Sequence, residues 1–255
     1  FSFADLFGIA TSTYVAQAVG AKRTDQVPEQ LRIALIATGL LGAVIALFFY
    51  AIREPVLGLL GLEPNVCALA QDYLLPWLVA LPLFFVARLM GHVFRGLGDA
   101  RTLMFLMSAA LPVNAGLAPC LIFGYGPFPE LGLVGAGLST VICEFMIVLA
   151  GLTILRRRGL FPHVSGLSFF ALPFAPLANM VRVGLPIALN GALFSMTYIG
   201  LTWVISKFGS SAVAAIGIGH RMESWPWFLC YGFSVAAATL VGQYMGAGQS
   251  GKAAQ

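Results

Sequence analysis

Residues 33–52 run for twenty positions without a charged side chain, and residues 102–123 form a second such block. A third begins near Val183 and ends at Ser206. A helix rises about 1.5 Å per residue, so roughly twenty apolar residues match the hydrocarbon core of a bilayer. Water offers such blocks no stable outer surface, whereas lipid does. Composition agrees: 9% of the residues are charged and 59% apolar, against roughly 25% charged in a soluble domain. The 29 glycines and 14 prolines also suit membrane helices.

The pattern predicts an all-α, polytopic membrane helix bundle of about seven transmembrane helices. They fall near residues 1–20, 31–52, 70–93, 102–123, 134–155, 183–206 and 224–245. The apolar stretch 167–177 contains Pro173 and Pro176, is too short to span, and reads as an interfacial linker. Alternate loops hold eleven Lys/Arg on one side, Arg156–Arg158 among them, and three (Arg53, Lys207, Arg221) on the other. Cytoplasmic loops carry the excess of Lys/Arg, so the first set faces the cytoplasm. The chain therefore reads as a multi-pass protein of the cell (inner) membrane, in contact with membrane lipids. This placement of charge accounts for the net +4 without a nucleic-acid partner.

No catalytic constellation is written in the sequence: HExxH, Walker A and Gly-x-Ser-x-Gly patterns are absent. His92, His163 and His220 have no metal-ligand spacing, and Cys67, Cys120, Cys143 and Cys230 read as small apolar filler. The expectation is a non-enzyme with no metal and no cofactor. Phe1 stands inside an apolar run rather than at an initiating Met, which reads as a fragment of a longer protein.

The chain contains a repeat. Residues 7–21 read FGIATSTYVAQAVGA and residues 233–247 read FSVAAATLVGQYMGA, at an offset of 226. Phe7, Ala10, Thr13, Val15, Gln17, Gly20 and Ala21 all recur. Both copies end a helix on the same side, so the repeat is parallel, a common plan for secondary transporters. Small residues also recur every fourth position (Gly8, Ser12, Ala16, Gly20; Ser234, Ala238, Gly242, Gly246). Such a stripe lets two helices approach closely in lipid, and Gly20 and Gly246 are its packing positions at the helix ends.

Six segments, in order, carry a resemblance: VAQAVGA at 15–21, RGLGD at 95–99, NAGLAPCLIFG at 114–124, LVGAGLST at 133–140, VGLPIA at 183–188 and IGHRME at 218–223. Together they resemble the multidrug and toxic compound extrusion (MATE) transporters, part of a group that includes lipid-linked oligosaccharide flippases. The resemblance implies twelve helices in two lobes of six, of which this chain holds the second to the eighth. On that register residues 1–158 are an incomplete N-terminal lobe, 159–181 an interlobe linker, and 182–255 the start of the C-terminal lobe. It also implies a monomeric antiporter that exports small organic cations or amphipathic drugs in exchange for H⁺ or Na⁺. Flipping of a lipid-linked precursor is the first alternative. A non-transporting scaffold or receptor is the second. Few cations are expected at mid-depth, which counts against the flippase.

An ion-coupled carrier needs a group in lipid that binds the ion in one state and releases it in another, usually a carboxylate facing the bundle interior. The intramembrane acids are Asp5, Asp72, Glu144 and Glu223. Family members often place an Asp four residues after the motif Asn; here Asn114 is present and that position is Ala118. Where some members use a Glu on the seventh helix, this chain has Phe194. Asn114 is flanked by Pro112 and Pro119, which free the carbonyls of Ser108 and Ala115. Thr140 matches a family Thr. Glu144 lies one turn beyond it on the same face and about 18 Å from Arg156 by helical rise, near mid-bilayer. Asn114, Thr140, Glu144 and Asp5 are therefore the candidates for coupling or for lining the cavity. Arg88, His92 and Arg95 share one face near a cytoplasmic end and read as interfacial anchors. In the loop Arg95 to Asp99, Gly96 and Gly98 are expected to permit a tight turn.

Overall fold

The computed structural model describes residues 2–59, 64–161, 173–208 and 210–253. After a 3-10 turn at Ser2–Ala4 the helices are α1 (Asp5–Gly20), α2 (Val27–Leu59), α3 (Pro64–Gly96), α4 (Ala100–Phe123), α5 (Gly132–Arg157), α6 (Phe174–Ser206), α7 (Ser210–Gly246) and the short α8 (Ser250–Ala253). Six of them, α2 to α7, are long and apolar enough to cross a membrane. The seventh, α1, has 16 residues and is about 24 Å long.

Helix ends differ from the sequence expectation where apolar periodicity continues past a turn-like pair. The segment 218–223, expected before the last span, lies inside α7. Residues 174–181 of the expected linker are the first turns of α6, and 162–172 fall outside the described residues. Pro186 and Pro226 sit within their helices without ending them.

Helix α1 is the hub. It packs against α3, α6 and α7, while α2, α4 and α5 gather around α3 and α5, and α6 and α7 touch each other little. Glycines set the close approaches. A Cβ at Gly8 would strike the His92 ring, one at Gly96 the Ser12 backbone, and one at Gly184 the Leu6 carbonyl. Gly96 therefore serves helix packing rather than the tight turn expected of it. The turn falls to Gly98, at φ 74°.

The buried core lies toward the start of α2 and the ends of α3 and α5, and is built from Leu31, Ile33, Leu89, Met90, Phe94 and Leu155, with Met180 from α6. The outward faces are apolar and exposed: Leu47 is 69% and Leu111 73% accessible, as expected for surfaces meeting lipid. Asp99 holds the loop before α4. Its carboxylate accepts from the Thr102 backbone N–H at 3.0 Å and from the Thr102 hydroxyl at 2.6 Å, capping α4. It also pairs with Arg158 at the end of α5. The carboxyl is held below its ordinary range: burial opposes the charge, but the Thr102 and Arg158 contacts outweigh it.

Candidate functional site

Two polar groups and one cleft stand out within the apolar bundle. The first group joins α4 to α5. The Asn114 amide donates to the Thr140 hydroxyl at a long 3.5 Å, and that hydroxyl donates to the Ala136 carbonyl one turn back at 3.3 Å. Two of the four candidate residues therefore meet. Glu144 follows Thr140 by a turn, is half-buried, and lies within electrostatic reach of Arg88 on α3. Its carboxyl makes no hydrogen bond among the described residues. At the position of the missing family acid, Ala118 is half-buried; Phe194 is exposed and meets the Tyr198 ring. The side chain of Asp72 lies outside the described residues.

The second group lies in the α1–α3 seam. Asp5 accepts from Arg88 at 2.8 and 3.0 Å, and its Oδ1 lies 2.8 Å from Nε2 of His92. His92 is 5% exposed. The anchor reading of Arg88 and His92 is thus corrected: both side chains engage Asp5, His92 buried and Arg88 partly exposed. No hydrogen bond among the described residues joins Asp5 to Asn114 or Thr140; Arg88 pairs with Asp5, and its charge also reaches Glu144. The sequence did carry a signal. An acid and a base both inside predicted spans are expected to pair, since an isolated charge in lipid is costly.

The cleft runs beside α1 and α7. Gly20 sits on the Gln243 backbone, Gly246 on the Gln17 backbone, and Ala16 meets Gly242. Gln17 and Gln243 are repeat mates, as are Gly20 and Gly246. The two copies therefore touch by the same surface about a local twofold, a self-complementary contact. One flank of this contact holds a cavity of about 400 Å³ between α1, α2 and α6, with Thr13, Tyr14, Gln17, Gln30 and Asn179 on its wall. The other holds one of about 230 Å³ between α1, α3 and α7, walled by His92, Arg95, Tyr231, Ser234 and Thr239. The Thr239 hydroxyl donates to the Arg95 carbonyl at 3.2 Å, tying α7 to α3. Arg95, expected as part of a loop signature, is thus a half-buried wall residue of this cleft.

A family model for MatE matches residues 1–120 and 186–255. The chain belongs to the MatE family. Among curated proteins it is 27% identical over 250 residues to the probable multidrug resistance protein YoeA of Bacillus subtilis, covering 97% of this chain and 54% of that protein. It is 29% identical over 250 residues to the FAD transporter of Shewanella oneidensis, covering 97% and 55%. Of solved structures, the Vibrio cholerae MATE transporter VcmN matches with a TM-score of 0.87 at 24% identity, over 99% of this chain and 56% of VcmN. The chain spans about half the length of the curated relatives it matches. Membership agrees with the six membrane-capable helices: the chain is part of a multi-pass membrane protein.

Proposed function

We propose that residues 1–158 and 182–255 belong to the two lobes of a cation-coupled secondary antiporter, joined through 159–181. In this reading the whole protein works as a monomer and exports organic cations or amphipathic drugs. The observation that carries the reading is the reciprocal seating of Gly20 on Gln243 and Gly246 on Gln17. Two copies of one helix meeting about a local axis at their cytoplasmic ends close one side of a cleft and leave cavities along their flanks. Carriers that rock one repeat against another around a fixed site use this arrangement.

Asn114, Thr140 and Glu144 are the coupling residues in this reading. The long Asn114–Thr140 bond leaves both groups free to turn toward an ion. Glu144 supplies a carboxyl at mid-depth where the usual family Asp is Ala118. Arg88 places Asp5 and Glu144 within one electrostatic group, so loading of Glu144 is felt at the α1–α3 seam. The coupling ion is H⁺ or Na⁺.

The test uses the full gene product in liposomes, with an imposed proton or sodium gradient and a fluorescent organic cation, and with Glu144→Gln alongside. Gradient-driven uptake that disappears in a folded Glu144→Gln protein supports the reading. If neither gradient moves the cation, drug export is rejected. Flipping of a lipid-linked precursor is the second reading. The sequence counted few cations at mid-depth against it, but Arg95 and His92 on the cleft wall favour it.

A further inference from the structure

The cavity between α1, α3 and α7 is walled by basic and hydroxyl-bearing side chains. His92 and Arg95 line it together with Ser12, Tyr231, Ser234 and Thr239, and among the described residues no carboxylate lines it. The local acids are committed elsewhere. Both oxygens of Asp5 are taken by Arg88, and one also by His92, while Glu144 is not among the residues that line the cavity. Among the described residues the Arg95 guanidinium has no ion-pair partner. An unpaired guanidinium at the end of a membrane-spanning helix, lining a polar cavity, is available to a ligand.

The repeat supplies an independent observation. At the position of Asp5 the second copy carries Tyr231. A strict copy would have put a carboxylate on α7 beside the cavity that Arg95 lines; a phenol hydroxyl stands there instead. Tyr231 is also held in place, stacked on Trp227 at 5.2 Å between ring centroids. The cavity is adjacent to the Ala16–Gly242 contact, so a solute entering from the cytoplasmic side passes it as that contact opens.

We propose that this cavity is a subsite for an anionic group, carboxylate or phosphate, of the transported amphiphile, with Arg95 as its ligand and Tyr231 as a second donor. The planar guanidinium fork matches the two oxygens of either group, which an ammonium does not. The proposal rests on the carrier reading and narrows its cargo to amphiphiles that bear an acidic group, alone or beside an amine. The acidic group belongs either to a soluble solute or to a lipid headgroup.

Binding and transport are measured separately on the full gene product. Energy transfer from tryptophan to dansylglycine and to its methyl ester gives the acid-to-ester affinity ratio in detergent. Vesicles carrying either dansyl probe or NBD-labelled phosphatidic acid report movement. The expected result is an acid preference on the order of tenfold, since hydrogen bonds to a charged group are among the strong ones. Arg95→Gln removes that preference without weakening the ester, and Arg95→Lys keeps part of it. Tyr231→Phe lowers the preference without abolishing it, which guards against an Arg95→Gln protein that fails to fold. Movement of dansylglycine assigns the soluble source, and movement of the labelled lipid alone assigns the headgroup; each supports the subsite. A preference that appears in binding while no gradient drives transport overturns the carrier and leaves the subsite standing. An acid-to-ester ratio near one, or one unchanged in folded Arg95→Gln, overturns the subsite, even where the ester is transported.

Discussion

Helices α1 and α7 are copies of one sequence, yet they live in different surroundings. Along α1, Leu6, Phe7, Ala10, Thr11 and Val15 are buried. Along α7, Phe233, Leu240 and Val241 are exposed in this chain, which spans about half the length of its relatives. What the copies share is the small-residue end, and there they meet by equivalent positions. What they do not share is the charge: Asp5 binds Arg88 and His92, whereas Tyr231 stacks on Trp227 and faces the cleft. Identity between the copies follows the contact they make with each other. Divergence falls where the copies meet different neighbours, α3 side chains for Asp5 and its own helix and the cleft for Tyr231.

The strongest way to break this equivalence is to fill the contact. Gly20→Val and Gly246→Val each drive a side chain into the opposite backbone. Overpacking of this kind costs about 1–3 kcal/mol or more, and two variants that spoil one contact are expected to be non-additive. Both single variants should lose most of their transport and show similar falls in thermal stability. Loss in only one of them would show that the contact is not reciprocal.

A smaller effect sharpens the difference in charge. Asp5→Asn leaves Arg88 and the buried His92 without their carboxylate and should destabilise the protein by about 1–3 kcal/mol. Tyr231→Phe, at the mate position, should cost less than about 1 kcal/mol. Thermal unfolding of the two variants in one detergent compares them directly. Thr140→Val removes only the long Asn114 contact and a bond back to its own helix. It should shift stability by less than about 1 kcal/mol while lowering gradient-driven uptake.

The smallest effect is outside the membrane. The Thr102 and Arg158 contacts hold the Asp99 carboxyl below the ordinary carboxylate range despite its burial, so its contribution to stability is full above about pH 4 and fades as pH falls through its lowered value. The pair with Arg158 is partly exposed, so solvent and salt reduce the effect. Asp99→Asn should lower the melting temperature by a small amount at pH 7, and the gap from the wild type should close on acidification below pH 4.

The membrane class and the helix count were legible because hydrophobic block length is a one-dimensional property. The α1–α7 contact was half legible: the stripe and the repeat named Gly20 and Gly246, but not that each seats on the other's Gln. Asn114 and Thr140 were paired by motif, and the structure joins them. The α1–α3 seam was missed. Arg88 and His92 share a face by spacing, but which way that face turns depends on where α1 packs, and Asp5 is 83 residues from Arg88 in the chain. The helix starts at 174 and 210 were missed because 167–177 was read as a linker too short to span and the charged segment 218–223 was placed before the last span, where α6 and α7 in fact run through.

The two repeat copies meet at the helix ends that carry Gly20 and Gly246, and transport is expected to require them to part. Ala16→Cys with Gly242→Cys, in the full gene product with its native cysteines replaced, tests it in membranes. Oxidation should form a disulfide within the chain, stop gradient-driven uptake, and release it again on reduction. A cross-linked protein that transports at the full rate, or a pair that fails to cross-link in a folded protein, would contradict the account.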